Sequence, residues 1–242
     1  MPWQDNPELR VDVPAASTLC QWSFTDELTA VVALHPHLPG FSRLEFLGDA
    51  VLNLAIYLAA TVTGLGRDVA SSAVANAQLD KRINASPLVD ERRSGDVLEA
   101  LVGAVHLDGG FTAAWVASLR IAGPAAGIPL DLPPPPALDL PGGLDERAGA
   151  FVGAALLAAV VADRLARTEP DWSDDRYSSE RSRLLATARL ADLARRHLRA
   201  RLAGHADGSC ADVLQTVAAR RLVDEGWPGG VAAAVDIGVL PA

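Results

Sequence analysis

The sequence predicts an all-α protein, and three observations carry that reading. Helical periodicity runs through most of the apolar stretches, whereas the alternation of a half-buried strand is scarce. Alanine, leucine and arginine, all good helix formers, are abundant. Half of the 242 residues are apolar and few are aromatic, which suffices for one large core or two of ordinary size.

Taken in order, helical periodicity appears in "TDELTAVVAL", in "RLEFLGDAVLNLAIYLAA" from Arg43 and in "DVLEALVGAVHLDGG" from Asp96. The glycines of "LDGGF" fit a helix C-cap. "IPLDLPPPPALDLPGG", from Ile128 to Gly143, interrupts the pattern; four successive prolines forbid helix and favour an extended spacer. Beyond it come "AGAFVGAALLAAVVA", "SERSRLLATARLADLARRHLRARL" and "CADVLQTVAARRLVDEG". The expected organisation is a first domain over 1–127, a linker over 128–144 and a second domain over 145–242.

The two sides repeat each other. "LEFLGDAVLNLAIYLA" from Leu44 aligns without gaps on "GAFVGAALLAAVVADR" from Gly149. "GDVLEALVGAVHLDGGF" from Gly95 aligns on "ADVLQTVAARRLVDEGW" from Ala211, in the same order. Two matches in one order favour duplication over alanine-rich coincidence.

Glu45 and Asp49 stand one helical turn apart, so they share a face of a helix that is otherwise apolar nearly all round. Such a helix is normally buried, and a buried carboxylate needs a partner. Asp96 and Glu99 form a second pair, again on one face. If the two helices pack side by side, four carboxylates converge. Two like charges about 4 Å apart repel by roughly 4 kcal/mol at an effective dielectric near 20, so four require compensation. Either arginines such as Arg43, Arg92 and Arg93 answer them, or they hold a hard divalent cation with oxygen ligands, for which Mg²⁺ is the usual choice.

These residues resemble a known family. "RLEFLGDAVL" is similar to the signature helix of ribonuclease III, "GDVLEALVGAVHLDGG" to its second acidic helix, and "VANAQL", from Val74, to the short motif between them. The resemblance is strong over 25–120 and weak over 145–235. It implies an all-helical endonuclease that hydrolyses double-stranded RNA with Mg²⁺, or Mn²⁺ in its place, leaving 5′-phosphate and 3′-hydroxyl ends. Glu45, Asp49, Asp96 and Glu99 match the family's metal-site carboxylates. Asp49 and Glu99 are expected as direct ligands, with Glu45 and Asp96 bridging or orienting water. Ser42 departs from the family pattern, which has a glutamate there. No stretch resembles the family's C-terminal RNA-binding domain, so affinity is expected to come from the nuclease domains.

In the second copy Ala150, Ala154 and Gln215 stand opposite Glu45, Asp49 and Glu99, and only Asp212, opposite Asp96, keeps its carboxylate. One carboxylate cannot assemble that site, so this half is expected to be catalytically silent. Phe151 still matches Phe46, and in the family this phenylalanine packs against a partner domain. The resemblance therefore implies two ribonuclease III-like domains in an intramolecular pseudo-dimer with one active site, nicking one strand. A homodimer through the catalytic domains would restore a double cut. The first part carries eight Lys/Arg against fourteen acids, the second thirteen against fourteen. Arg181, Arg183, Arg189, Arg195 and Arg196, with Arg199 and Arg201, are candidates for phosphate contact or for local pairing on a solvated face.

Several classes are disfavoured. A formal charge of −9 speaks against a freestanding basic nucleic-acid binder and against non-specific adhesion to anionic membranes. The opening residues show no signal-peptide pattern, and the run from Ala148 to Ala162 reads as a buried helix rather than a membrane span. Cys20 and Cys210 read as reduced core residues, giving a cytoplasmic expectation. His35 and His37 fit a structural turn, and His106, His197 and His205 have no partner at ligand spacing. The alternative from another class is a non-catalytic RNA-binding or ribosome-associated scaffold, which the intact acid quartet disfavours.

Overall fold

In the computed structural model, the described residues are 9, 12–84, 95–138, 144–197 and 206–241. All regular structure among them is helical, with no strand. Two compact units emerge, Met1–Leu132 with Glu169–Asp174, and Pro133–Thr168 with Asp175–Ala242.

The first unit contains α1 (Val13–Cys20), α2 (Glu27–Leu34), α3 (Phe41–Val62), α4 (Arg67–Ala73), α5 (Asn76–Asn84) and α6 (Gly95–Ala126). Its spine is α3 against α6, with α1, α2 and α5 also packed on α6. Leu44, Leu47, Val51, Leu54 and Leu58 of α3 are fully buried, as are Val97, Leu98, Leu101 and Val105 of α6. The two helices touch backbone to backbone. A Cβ on Gly48 would lie 1.7 Å from the Glu99 carbonyl oxygen, and one on Gly103 would lie 2.1 Å from that of Leu44. Glycine normally weakens a helix interior by about 1 kcal/mol; here it permits the contact.

"LDGGF" does more than cap a helix. The helical backbone breaks at Gly110 (φ +76°, ψ −175°) and resumes beyond it. The Asp108 carboxylate accepts from the Trp22 indole N–H (2.7 Å) and from the backbone N–H groups of Thr25 (2.9 Å) and Asp26 (3.1 Å). Burial works against its charge, but these donors prevail and hold its pKa below the ordinary carboxylate value.

The second unit contains α7 (Glu146–Thr168), α9 (Thr187–His197) and α10 (Asp207–Asp236); α8 (Asp174–Leu184) belongs to it from Asp175 onward. Helix α10 packs on α7 and α9. Here too a glycine meets a carbonyl, since a Cβ on Gly153 would lie 1.9 Å from the Gln215 oxygen. Helix α10 breaks at Gly226 (φ +71°, ψ −165°), the residue aligned with Gly110. The arginine-rich stretch is two helices, parted at Leu185–Ala186.

The described part of the proline stretch is not a free spacer. Ile128 and Leu138 are buried, the Trp115 indole donates to the Leu132 carbonyl (2.9 Å), and Gly226 lies against Pro135 and Pro136. Residues 139–143 lie outside the described residues. The run from Ala148 to Ala162 lies within a longer helix, α7, of 23 residues. By length and composition α3, α6 and α7 could each cross a membrane, yet most of the apolar window in each is buried in protein. Cys20 and Cys210 are buried free thiols, and burial pushes the Cys20 thiol up to about 12 despite the nearby Arg120 charge. The His35 Nε2 donates to the Leu9 carbonyl (3.1 Å), and its ring meets His37 edge-on.

Candidate metal centre

The Gly48–Glu99 contact sets the register of the site. Glu45 lies one turn before Gly48 and Asp49 directly after it, so both project from the face of α3 that meets the start of α6. Asp96 and Glu99 occupy the first two turns of α6. Carboxylate oxygens of Glu45, Asp96 and Glu99 lie within 4.8 Å of one another. Glu99 is only 6% exposed, and Glu45 and Asp96 are half-buried.

Asp49 stands outside that trio. Its Oδ1 accepts from the Asn53 amide (2.7 Å), one turn further along α3. Its charge still acts on both glutamates. Burial first, then the charges of Asp96, Asp174 and Asp49, push Glu45 up to about 7. Burial first, then Asp49, Asp96, Glu45 and Asp80, push Glu99 up to about 8. Every cause acting on these two groups is unfavourable to their charge. Among the described residues neither makes an ion pair; Arg43 does not answer Glu45, and its Nε is buried without a hydrogen-bond partner. Arg92 and Arg93 lie outside the described residues.

A residue the sequence reading passed over positions the second pair. Asp80 of α5 accepts from the Gly95 N–H (2.6 Å), satisfying an orphan donor at the start of α6 and complementing its dipole. "VANAQL" spans the junction of α4 and α5, where the Ala75 carbonyl accepts from Gln78 and Leu79. Replacing Asp80 by alanine is expected to lower stability by about 1 kcal/mol, the usual effect of losing such a cap. Urea unfolding of the variant measures it.

Phe46 is buried and Phe151 half-buried. Arg183 forms a two-pronged pair with Glu180, and Arg196 pairs with Asp192. Arg189 donates to the carbonyls of Gly238 (3.5 Å) and Val239 (3.3 Å). Arg181 sits in the last turn of α8 and Arg195 in that of α9, each with a partner of its own. Arg199, Arg201 and His205 lie outside the described residues.

Known proteins resemble this chain in part. A Ribonuclease 3 from Variovorax paradoxus (strain S110) is 42% identical over a stretch covering 30% of this chain and 41% of the relative. A Ribonuclease 3 from Ehrlichia chaffeensis (strain Arkansas) is 30% identical, covering 42% and 58%. Part of this chain is therefore similar to ribonuclease 3. The chain spans about half the length of these curated relatives. No protein-family profile matches it.

The donor set fits a hard divalent cation. It offers oxygen only, from clustered carboxylates with no cation answering the two glutamates among the described residues, which suits Mg²⁺ and its retained waters.

Proposed function

We propose that this chain is a ribonuclease III-type endoribonuclease, cytoplasmic, that hydrolyses double-stranded RNA with Mg²⁺, Mn²⁺ serving in its place. The observation that carries the reading is the convergence of Glu45, Asp96 and Glu99, with Asp49 beside them, while nothing cationic compensates the two glutamates among the described residues. Similarity to ribonuclease 3 supports the same reaction class.

In this reading Glu45, Asp49, Asp96 and Glu99 hold the cation, with Asp49 and Glu99 as direct ligands and Glu45 and Asp96 bridging or orienting water. A divalent cation so held lowers the pKa of bound water and neutralises charge on the phosphate. The protein's own part is orientation. Asn53 fixes the Asp49 carboxylate, Asp80 fixes the start of α6, and the Gly48 contact fixes the spacing of the pairs. Burial of Glu99 lowers the local dielectric, which strengthens its attraction for a cation once it is ionised.

We further propose that the two units are tandem domains, 1–127 and 145–242 joined by 128–144, the second silent because Ala150, Ala154 and Gln215 replace three acids. Phe46 and Phe151 would serve their pairing, as a monomer with an internal pseudo-dimer. Arg181, Arg183, Arg189, Arg195 and Arg196 would be the candidates for the RNA backbone, and each also has a partner within the protein. Incubation with a long duplex RNA tests the reading: Mg²⁺-dependent fragments support it, and an intact duplex in Mg²⁺ and Mn²⁺ refutes it.

A pH dependence follows. Glu45 and Glu99 keep protons in the metal-free folded chain up to about 7 and about 8, whereas the unfolded chain releases them near 4.5. Their contribution to folding is thus fully present below 4.5 and is lost as pH rises through 7 to 8. Cation binding needs the deprotonated forms, so stabilisation by Mg²⁺ grows over the same window. Thermal melts with and without Mg²⁺ should diverge more above pH 8 than below pH 6. An equal Mg²⁺ effect at both ends would contradict the site.

A further inference from the structure

We infer that the second unit retains the frame of a divalent-cation site whose register is intact and whose carboxylates have been replaced, so that three substitutions suffice to give it a cation. The inference rests on the reading that the acids of the first unit bind one.

The register is fixed by a contact that recurs. Gly48 abuts the Glu99 carbonyl and Gly153 abuts that of Gln215, at 1.7 and 1.9 Å for an added Cβ. Relative to these contacts, Ala150 and Ala154 hold the places of Glu45 and Asp49 on one face of α7. Asp212 and Gln215 hold those of Asp96 and Glu99 on α10. The second helix of each crossing also breaks at the same aligned position, Gly110 or Gly226, with nearly the same backbone angles.

Packing at the crossing changed by exchange rather than by drift. Leu44 and Ala100 of the first unit align with Gly149 and Thr216 of the second. A Cβ on Gly149 would lie 2.7 Å from Thr216 Cγ2, so the bulk removed from one helix has reappeared on the other. The Thr216 hydroxyl lies at hydrogen-bond distance from the carbonyls of Asp212 (2.9 Å) and Glu146 (3.1 Å), tying α10 to the start of α7.

There is room for the missing groups. Ala154 and Asp212 are exposed, and Ala150 and Gln215 are half-exposed, so new carboxylates would displace no buried side chain. The more open setting leaves the charges better solvated, and affinity should be about tenfold weaker than at the first site.

Titration of the full chain with Mn²⁺, followed by calorimetry, tests the inference. The Ala150→Glu/Ala154→Asp/Gln215→Glu variant should bind one equivalent more than its parent. Placed in an Asp49→Ala/Glu99→Gln background, the three substitutions should leave one equivalent bound. A charge-matched control, Ser178→Glu/Ser182→Glu/Ala188→Asp, should gain none; a gain there would overturn the inference. So would an unchanged stoichiometry in a triple variant with the parent's helical circular dichroism. If the triple variant does not fold, Ala154→Asp/Gln215→Glu with native Asp212 still supplies three carboxylates. A folded double variant without a gain counts equally against the frame. A parent that binds none while the triple variant binds one would refute the reading of the first unit and leave the frame standing.

Discussion

Glu99→Gln is expected to reduce Mg²⁺-dependent cleavage of duplex RNA by roughly 10²–10³-fold or more, the scale on which loss of one preorganised charge-stabilising group acts. The substitution keeps the shape of the side chain and removes its charge. Glu99 is the most buried of the four acids, and its carboxyl is pushed up to about 8 by burial and by Asp49, Asp96, Glu45 and Asp80. A neutral amide there also relieves that repulsion. The same variant should therefore be at least as stable as the parent in metal-free buffer at pH 8, and should lose most of the Mg²⁺-induced rise in melting temperature. Loss of activity with gain of metal-free stability is the signature of a ligand rather than a core residue. Asp49→Ala should match it in activity. Cleavage at the parental rate in either variant would remove the assignment.

Gly48→Ala should be the most disruptive glycine-to-alanine change among the described residues. Its Cβ would lie 1.7 Å from the Glu99 carbonyl oxygen, 2.5 Å from the carbonyl carbon and 2.8 Å from the Gly103 nitrogen. All three are backbone atoms, so no side chain can turn away and the helices must separate. Overpacking of this kind typically costs about 1–3 kcal/mol, and a clash with backbone on a central crossing belongs at or above the upper end. Separation also spreads Glu45 and Asp49 from Asp96 and Glu99. Even where the variant folds, Mg²⁺ affinity should fall with stability. Urea unfolding and Mg²⁺ titration of the same preparation measure both, and a variant as stable as the parent would contradict the contact.

The helical class and the meeting of two acidic faces were legible because both rest on short-range spacing. Glu45 and Asp49, or Asp96 and Glu99, cannot leave their shared face while the helix lasts, and apolar neighbours draw the helices together. Less legible was how closely the backbones approach. Gly48 reads in sequence as a mild helix weakener, and only its contact with the Glu99 carbonyl shows it setting the site's register. The available signal was a glycine inside a long apolar helix, one turn from the first acid. Asp80 escaped notice because its partner, the Gly95 N–H, lies across the segment between α5 and α6. Helix α1 was missed because "VPAASTLC" is short and weakly patterned; Pro14 is tolerated in its first turn, where no intrahelical donor is needed. Within the arginine-rich stretch, Arg183, Arg189 and Arg196 are engaged inside their own unit, contacts that composition does not reveal. Asp49, expected as a direct ligand, is held by Asn53 beside the closest trio rather than within it.

The most direct test of one complete metal site per chain uses a duplex RNA with each strand labelled separately, incubated with monomeric protein verified by light scattering. With Mg²⁺, a single nick on one strand per binding event is the predicted result, absent in EDTA and absent in Glu99→Gln. Staggered cleavage of both strands at equal rates by the monomer would contradict the account.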